Sequence, residues 1–266
     1  MPEATTTARP AAPPTAFVPA RVGLWSSYRT LLRWQLGQAG SDLPMIVVIQ
    51  ALLAAGVVIG FGFLIPDISP ESALFLSTGT PTVLLMVVGL TIVPQGVVRA
   101  RTDGTFTYLR SLPVARPLLL LADLTVWLVV ALPSVAVAVI VADLRYDLTL
   151  AFDWPLLIAA SLLVTVTATA VGYAIAVTFA PMMAQVLSQV LVFFVMLFSP
   201  ITFPASQLPG WFQSVHDVLP IRPAADLLRA GLVSGTYDAS LRDLVVLVVW
   251  CVAGLALSTR ALVRRA

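Results

Sequence analysis

Few side chains in this sequence could carry covalent or metal chemistry, and those few stand apart. The chain has one histidine, His216, and one cysteine, Cys251. A lone cysteine in an apolar stretch has no intrachain disulfide partner and leaves the redox compartment unreadable. No pair of cysteines and no His-Glu-x-x-His spacing is present, so no ordinary metal site is expected. His216 has Asp217 beside it, but neighbours in sequence do not make a catalytic dyad, and Ser199 before Pro200 has no base in view. We read His216 as an interfacial histidine without a catalytic part. The chain contains no lysine. That excludes a phosphate loop of the G-x-x-x-x-G-K-[S/T] kind, and with it nucleotide hydrolysis by this chain alone. No catalytic residue and no bound cofactor or metal is expected.

Asp123 is the one acid inside a long apolar block. An ionisable group at such depth is expensive and counts as a functional candidate. It lies near the end of its block, within reach of Arg116 or of interfacial water. The alternative is a proton site in a secondary carrier. A second polar group, Gln185, Ser188 and Gln189, is a candidate lining for a passage through otherwise apolar blocks.

The elements that hold these residues follow from composition. Hydrophobic residues make up 59% of the chain and charged residues 11%, against about 25% charged in a soluble domain. A chain this apolar could not wet its surface as a globule. Six blocks have the length that crosses about 30 Å of hydrocarbon: 45–65, 73–98, 118–142, 155–179, 184–204 and 241–259. Helices are the open-chain way to satisfy the backbone at that depth. Alternating segments of about 10 residues, the mark of a membrane barrel, are missing.

The net charge of +2 comes from arginine alone. A sequence pI near 9 could suggest nucleic acid, but the arginines sit at block ends, which points to membrane orientation. With both termini cytoplasmic, eleven arginines fall inside and four, Arg145, Arg222, Arg229 and Arg242, fall outside. Prolines 81, 94, 133 and 200 predict kinks or hinges in spans two, three and five. Span four carries small residues, Ser161, Thr165, Thr169, Gly172 and Ala176, at a spacing that lets helix backbones approach.

Three segments outside the spans complete the organisation. Residues 1–21, rich in Pro, Ala and Thr, read as a disordered cytoplasmic tail, and 22–40 as an amphipathic interfacial helix. Residues 41–266 form the six-span domain. Its loop 99–117 predicts a short helix from Asp103 to Ser111, stopped by Pro113, with Phe106, Tyr108 and Leu109 as candidate anchors for a partner. Residues 205–235 predict two short outer helices, one with Trp211 and Phe212 on a face, the other carrying Leu228 against Asp226 and Arg229. The expected fold is thus an all-α membrane protein of six transmembrane helices, with short outer helices between spans five and six.

The loop Asp103-Gly104-Thr105-Phe106-Thr107-Tyr108-Leu109-Arg110-Ser111-Leu112-Pro113-Val114, the stretch Ser199-Pro200-Ile201-Thr202-Phe203-Pro204, and Leu208-Pro209-Gly210-Trp211 with Leu219-Pro220 together resemble permeases of type-2 ATP-binding-cassette exporters. That family includes daunorubicin-type drug exporters and polysaccharide and teichoic-acid exporters. The resemblance spans about residues 22–260. It implies a bacterial plasma-membrane exporter of an amphiphilic drug, lipid or lipid-linked glycan. It also implies a dimer of permease units, identical or paralogous, with two separate ATPase subunits that bind ATP and Mg. Asp103, Gly104, Phe106, Tyr108, Leu109 and Arg110 would then belong to the coupling helix, and Trp211, Phe212 and Leu228 to the exit. The family often has glutamate where Asp103 stands and a basic residue where Asp123 stands. The rival classes are the proton-coupled carrier and a membrane scaffold or assembly protein.

Overall fold

The computed structural model describes residues 23–40, 43–64, 69–111 and 114–264. The tail expected over 1–21 and Pro113 lie outside the described residues. Within them the chain is helical. The elements are α1 Leu24–Gly40, α2 Leu43–Leu64, α3 Pro70–Val87, a π turn Val88–Ile92, α4 Val93–Thr102, α5 Thr105–Ser111, α6 Arg116–Tyr146, α7 Trp154–Thr178, α8 Pro181–Phe198, α9 Gly210–Val218, α10 Ile221–Leu232 and α11 Leu241–Arg264. Strand-like pairing among the described residues is limited to one bridge, Ala151 with Val233.

Five helical stretches are long and apolar enough to cross a membrane: Pro70–Thr102, Arg116–Tyr146, Trp154–Thr178, Pro181–Phe198 and Leu241–Val263. The block expected over 45–65 forms α2, whose described apolar run is Pro44–Gly60. The starts follow local chemistry. Ser69 caps α3 by accepting from the Ser72 amide, with Pro70 in the first turn. Asp153 caps α7 in the same way through the Leu156 amide, ahead of Pro155.

The stretch from α3 through α4 is one continuous helix of 33 residues. Proline inside it should cost a hydrogen bond and clash with the carbonyl four residues back. The π turn just before Pro94 absorbs that conflict, with the Val93 amide reaching the Val88 carbonyl. At 1.5 Å per residue this helix is about 50 Å long, so it outreaches the hydrocarbon layer and carries α5 beyond it.

Helix α7 is the centre of the bundle. It packs against α11, α10, α6, α4 and the π turn, and its small-residue stripe is buried throughout. The reason is backbone proximity. A Cβ on Gly89 would strike the backbone of Ala168 and Thr169, and one on Gly172 would strike the Gly89 carbonyl. Helix α7 therefore lies with its backbone directly on the π turn between α3 and α4.

Between α8 and α11, α10 is not a surface helix. Nearly all its residues are buried, from Ile221 to Leu232, and it packs between α3, α7 and α11. Its end is tied to the loop before α7: the Asp153 amide donates to the Gly231 carbonyl at 2.9 Å, and the Ser234 amide to Ala151 at 3.0 Å. Side chains on Gly231 would meet the Leu157 backbone.

This packing predicts that Gly172→Val destabilises the protein by about 1–3 kcal/mol, the usual range for overpacking. Gly56→Ala, whose Cβ would meet nothing within 4 Å, serves as the control and should be near neutral. Thermal unfolding in detergent, followed by size-exclusion chromatography, separates the two.

Candidate functional site

At the end that carries α5, the chain turns sharply. Asp103 closes α4 through its amide to the Arg99 carbonyl, 2.9 Å. Gly104 follows with φ +79°, the left-handed region that glycine enters without steric cost. The expected helix from Asp103 to Ser111 thus begins two residues later, as α5 at Thr105.

The three large apolar residues of this loop divide. Phe106 is half-buried and packs on a cluster containing Val97, Leu120 and Leu262. Leu109 packs with Tyr28, Leu31, Leu119 and Ala122. Tyr108 is 62% exposed, flanked by exposed Asp103, Gly104 and Thr107. Two of the three expected outward anchors therefore fasten α5 to its own bundle, and Tyr108 alone faces outward. The Arg110 side chain lies outside the described residues.

Arginines at this end bind carbonyl oxygens. Arg101 donates to the Phe179 carbonyl at 2.7 Å and to that of Ala176, at the end of α7. Arg116 donates to Leu262 and Val263, 3.2 and 3.0 Å, at the end of α11. The last carbonyls of a helix lack intrahelical donors and carry partial negative charge, so a cation suits them.

Arg116 is therefore engaged with α11 and does not pair with Asp123. Asp123 instead accepts from Gln35 Nε2 of α1 at 2.7 Å, and the Tyr173 hydroxyl of α7 also bonds its carboxyl. Tyr28 and Thr125 share a second hydrogen bond of 2.9 Å between α1 and α6. The helix expected over 22–40 is thus docked along α6 by polar pairs on either side of Leu31.

The candidate passage residues split across α8. Gln185 and Gln189 are exposed and Ser188 is buried, its hydroxyl without a protein partner. Around them α8 exposes Met182, Met183, Val186, Val190, Phe193 and Leu197. The helix ends at Phe198, and Ser199 is extended.

At the opposite end, Trp211 is 71% exposed. Phe212 sits edge-on to His216 at 4.5 Å between ring centroids, and Phe194 stacks on the same imidazole at 6.1 Å. His216 is fully buried, with Nδ1 on the Phe212 carbonyl at 3.0 Å. It is thus a packed aromatic ring inside the protein. Leu228 is also fully buried, in the main core, so it packs the bundle and does not face an exit surface.

One residue here went unrecognised in the sequence. Arg229, grouped there with surface charges, is 1% exposed. It donates to Asp226 at 2.9 Å and to the Ile201 carbonyl, and its guanidinium lies 3.6 Å from the Phe75 ring centroid. It joins α10, the broken end of α8 and α3. Burial pushes its pKa down and the Asp226 carboxylate opposes that; the guanidinium stays charged. A more open ion network stands beside it, with Arg222 on Asp217 and Asp226 and Arg242 on Asp217 at 3.1 Å.

A helical bundle with five helices long and apolar enough to cross a membrane is the architecture of a multi-pass membrane protein. The chain belongs to the ABC-2 type transporter family, whose model matches residues 28–233, from α1 to the end of α10. That match makes it the permease component of an ATP-binding-cassette transporter. No curated protein matches the chain.

Truncating Arg229 leaves the Ile201 carbonyl without a donor, which costs about 1–3 kcal/mol. Arg229→Ala should lower stability by at least that much. Arg229→Lys should recover only part, because one ammonium does not span two acceptors as a planar fork does. Asp226→Asn should cost least, since that carboxylate is a third exposed and reaches water. Unfolding midpoints of the purified variants give the order.

Proposed function

We propose that this permease exports an amphiphilic substrate, a drug, lipid or lipid-linked glycan, and is driven through α5 by a separate ATPase subunit. ATP and Mg are bound by that partner. The working unit is two permease chains, identical or paralogous, with two ATPase copies. Each permease crosses the membrane six times, α2 supplying the first crossing, with both termini cytoplasmic. Eleven of fifteen arginines on the α5 side support that orientation.

The observation that carries the coupling role is the mounting of α5. It stands on Gly104 at the end of a 33-residue helix, is pinned by Phe106 and Leu109, and presents Tyr108 outward. A partner that grips Tyr108 moves a rigid piece. Closure of the ATPases then pulls on α4 and α6 through Phe106, and on α1 through Leu109. The Gln35–Asp123 and Tyr28–Thr125 bonds carry the same motion into α6. On the substrate side, the apolar face of α8 with Gln185, Ser188 and Gln189 suits a molecule with a hydrocarbon body and few polar groups. Trp211 and Phe212 stand at its far end.

Two experiments test this. Interface aromatics often cost about 2 kcal/mol or more when truncated, and 1.4 kcal/mol is tenfold in affinity. Tyr108→Ala should weaken ATPase binding at least tenfold in co-purification while leaving the permease melting temperature unchanged. Phe106→Ala with Leu109→Ala should do the reverse, lowering the melting temperature and uncoupling hydrolysis from transport. Normal binding and normal stimulated hydrolysis in Tyr108→Ala would remove α5 from the coupling role.

The topology has its own test. Reporter fusions after Arg116 should give a cytoplasmic signal and fusions after Tyr237 an external one. A cytoplasmic signal after Tyr237 would overturn the six-crossing arrangement.

A further inference from the structure

An apolar recess outside the sites above lies between α7 and α11. It has a volume of about 210 Å³, the share of roughly seven water molecules in the liquid. Val171, Ile175 and Phe179 form one wall and Trp250, Gly254 and Leu257 the other. Nothing polar lines it except the Thr178 side chain and backbone at its edge, so water gains little there. Gly254 closes its back, where the two helices approach so nearly that an added Cβ would stand 3.1 Å from that of Ala170.

Its direction is informative. From Trp250 to Leu257 the wall runs about 10 Å along α11, and from Val171 to Phe179 about 12 Å along α7. Half of a 30 Å hydrocarbon layer is about 15 Å, so the recess covers most of one leaflet's depth. That leaflet is the one on the α5 side. Trp250 marks the deep end, its ring held by a bond from Nε1 to the Val218 carbonyl at 2.8 Å.

The shallow end is positively charged. Arg260 follows Leu257 by three residues on α11, the spacing of neighbours on one helix face. It is exposed, and it makes no ion pair among the described residues. Arg101 adds charge at the same end, bonded to the carbonyl of Phe179, itself part of the wall. An apolar slot along one leaflet with a cation at its mouth matches one kind of molecule.

We propose that this groove holds one acyl chain of an anionic phospholipid, with the lipid phosphate on Arg260. The placement in the cytoplasmic leaflet rests on the orientation proposed above; the binding itself does not. The lipid would fill the seam between the central span and the last span and touch Trp250, whose indole is bonded to α9. Bound there, it would steady the contact between α11 and the outer helices.

The test uses the full chain in nanodiscs, where both leaflets carry the same lipid and orientation has no bearing. Phosphatidylglycerol or phosphatidylcholine with brominated acyl chains is titrated in, and the quenching lost in Trp250→Phe is assigned to Trp250. One arginine at a membrane surface favours an anionic lipid by about fivefold. Trp250 should therefore be half-quenched at about fivefold less brominated phosphatidylglycerol than phosphatidylcholine. Arg260→Gln should erase that preference. Ala253→Phe, which fills the groove from an exposed position, should protect Trp250 from both lipids. Native mass spectrometry provides a second readout, with phosphatidylglycerol retained by wild type and lost from Arg260→Gln. Equal quenching by the two lipids, or a preference that survives Arg260→Gln, would reduce the groove to ordinary annular contact and overturn the proposal.

Discussion

Each helix that ends or breaks near an apolar layer leaves carbonyl oxygens without donors, and this protein depends on side chains to supply them. An unsatisfied backbone group in hydrocarbon costs several kcal/mol. Arg101 serves the end of α7, Arg116 the end of α11, and Arg229 the Ile201 carbonyl beyond α8. Trp250 does the same for Val218 at the end of α9, while Tyr146 and Ser258 add a bond to the mid-helix carbonyls of Val58 and Ala170. Each of these bonds joins different helices, so satisfying the backbone also sets which helices stand together. Arginine suits the task because its planar fork reaches two acceptors and keeps its charge when buried.

The same constraint shapes span two. Pro94 removes one donor from a helix that must stay continuous, because α5 is carried at its end. The π turn keeps the helix whole, and the price is a wide section of backbone that only a small-residue partner can cover. Gly89 and Gly172 meet there. The stripe on α7 and the proline on span two are therefore one feature seen from two helices. Close backbone contact favours van der Waals packing where hydrophobic driving force between helices is absent, which makes α7 the natural centre of the bundle.

At the two ends the protein resolves charge differently. Near α5, cations bind carbonyls and Asp123 is held by the neutral Gln35 and Tyr173. Near α10, acids and arginines pair with one another and one guanidinium is driven into the interior over Phe75. The first arrangement leaves α1, α5 and α6 joined by a small apolar cluster and a few hydrogen bonds. The second ties α10 into the core, so the segment after span five behaves as part of the bundle.

The sequence by itself determined the membrane class, five of the six expected spans to within a few residues, the short helix after α4 and the family. These follow from local quantities: run length of apolar residues, arginines at block ends, and large apolar residues in a short polar loop stopped by Pro113. Expected spans such as 118–142 and 155–179 and observed helices Arg116–Tyr146 and Trp154–Thr178 differ by a few residues, since a hydropathy run is a property of neighbours. Only the tertiary structure decided the partners. Asp226 and Arg229, three apart, read as a surface pair because periodicity shows which residues share a face and not what covers it. Gln35 and Asp123 stand 88 residues apart, beyond any local pattern. Phe106, Tyr108 and Leu109 are alike in the sequence as large residues in a polar loop. Which of them turns inward depends on the clusters offered by α1, α4, α6 and α11, and those exist only once the helices have packed.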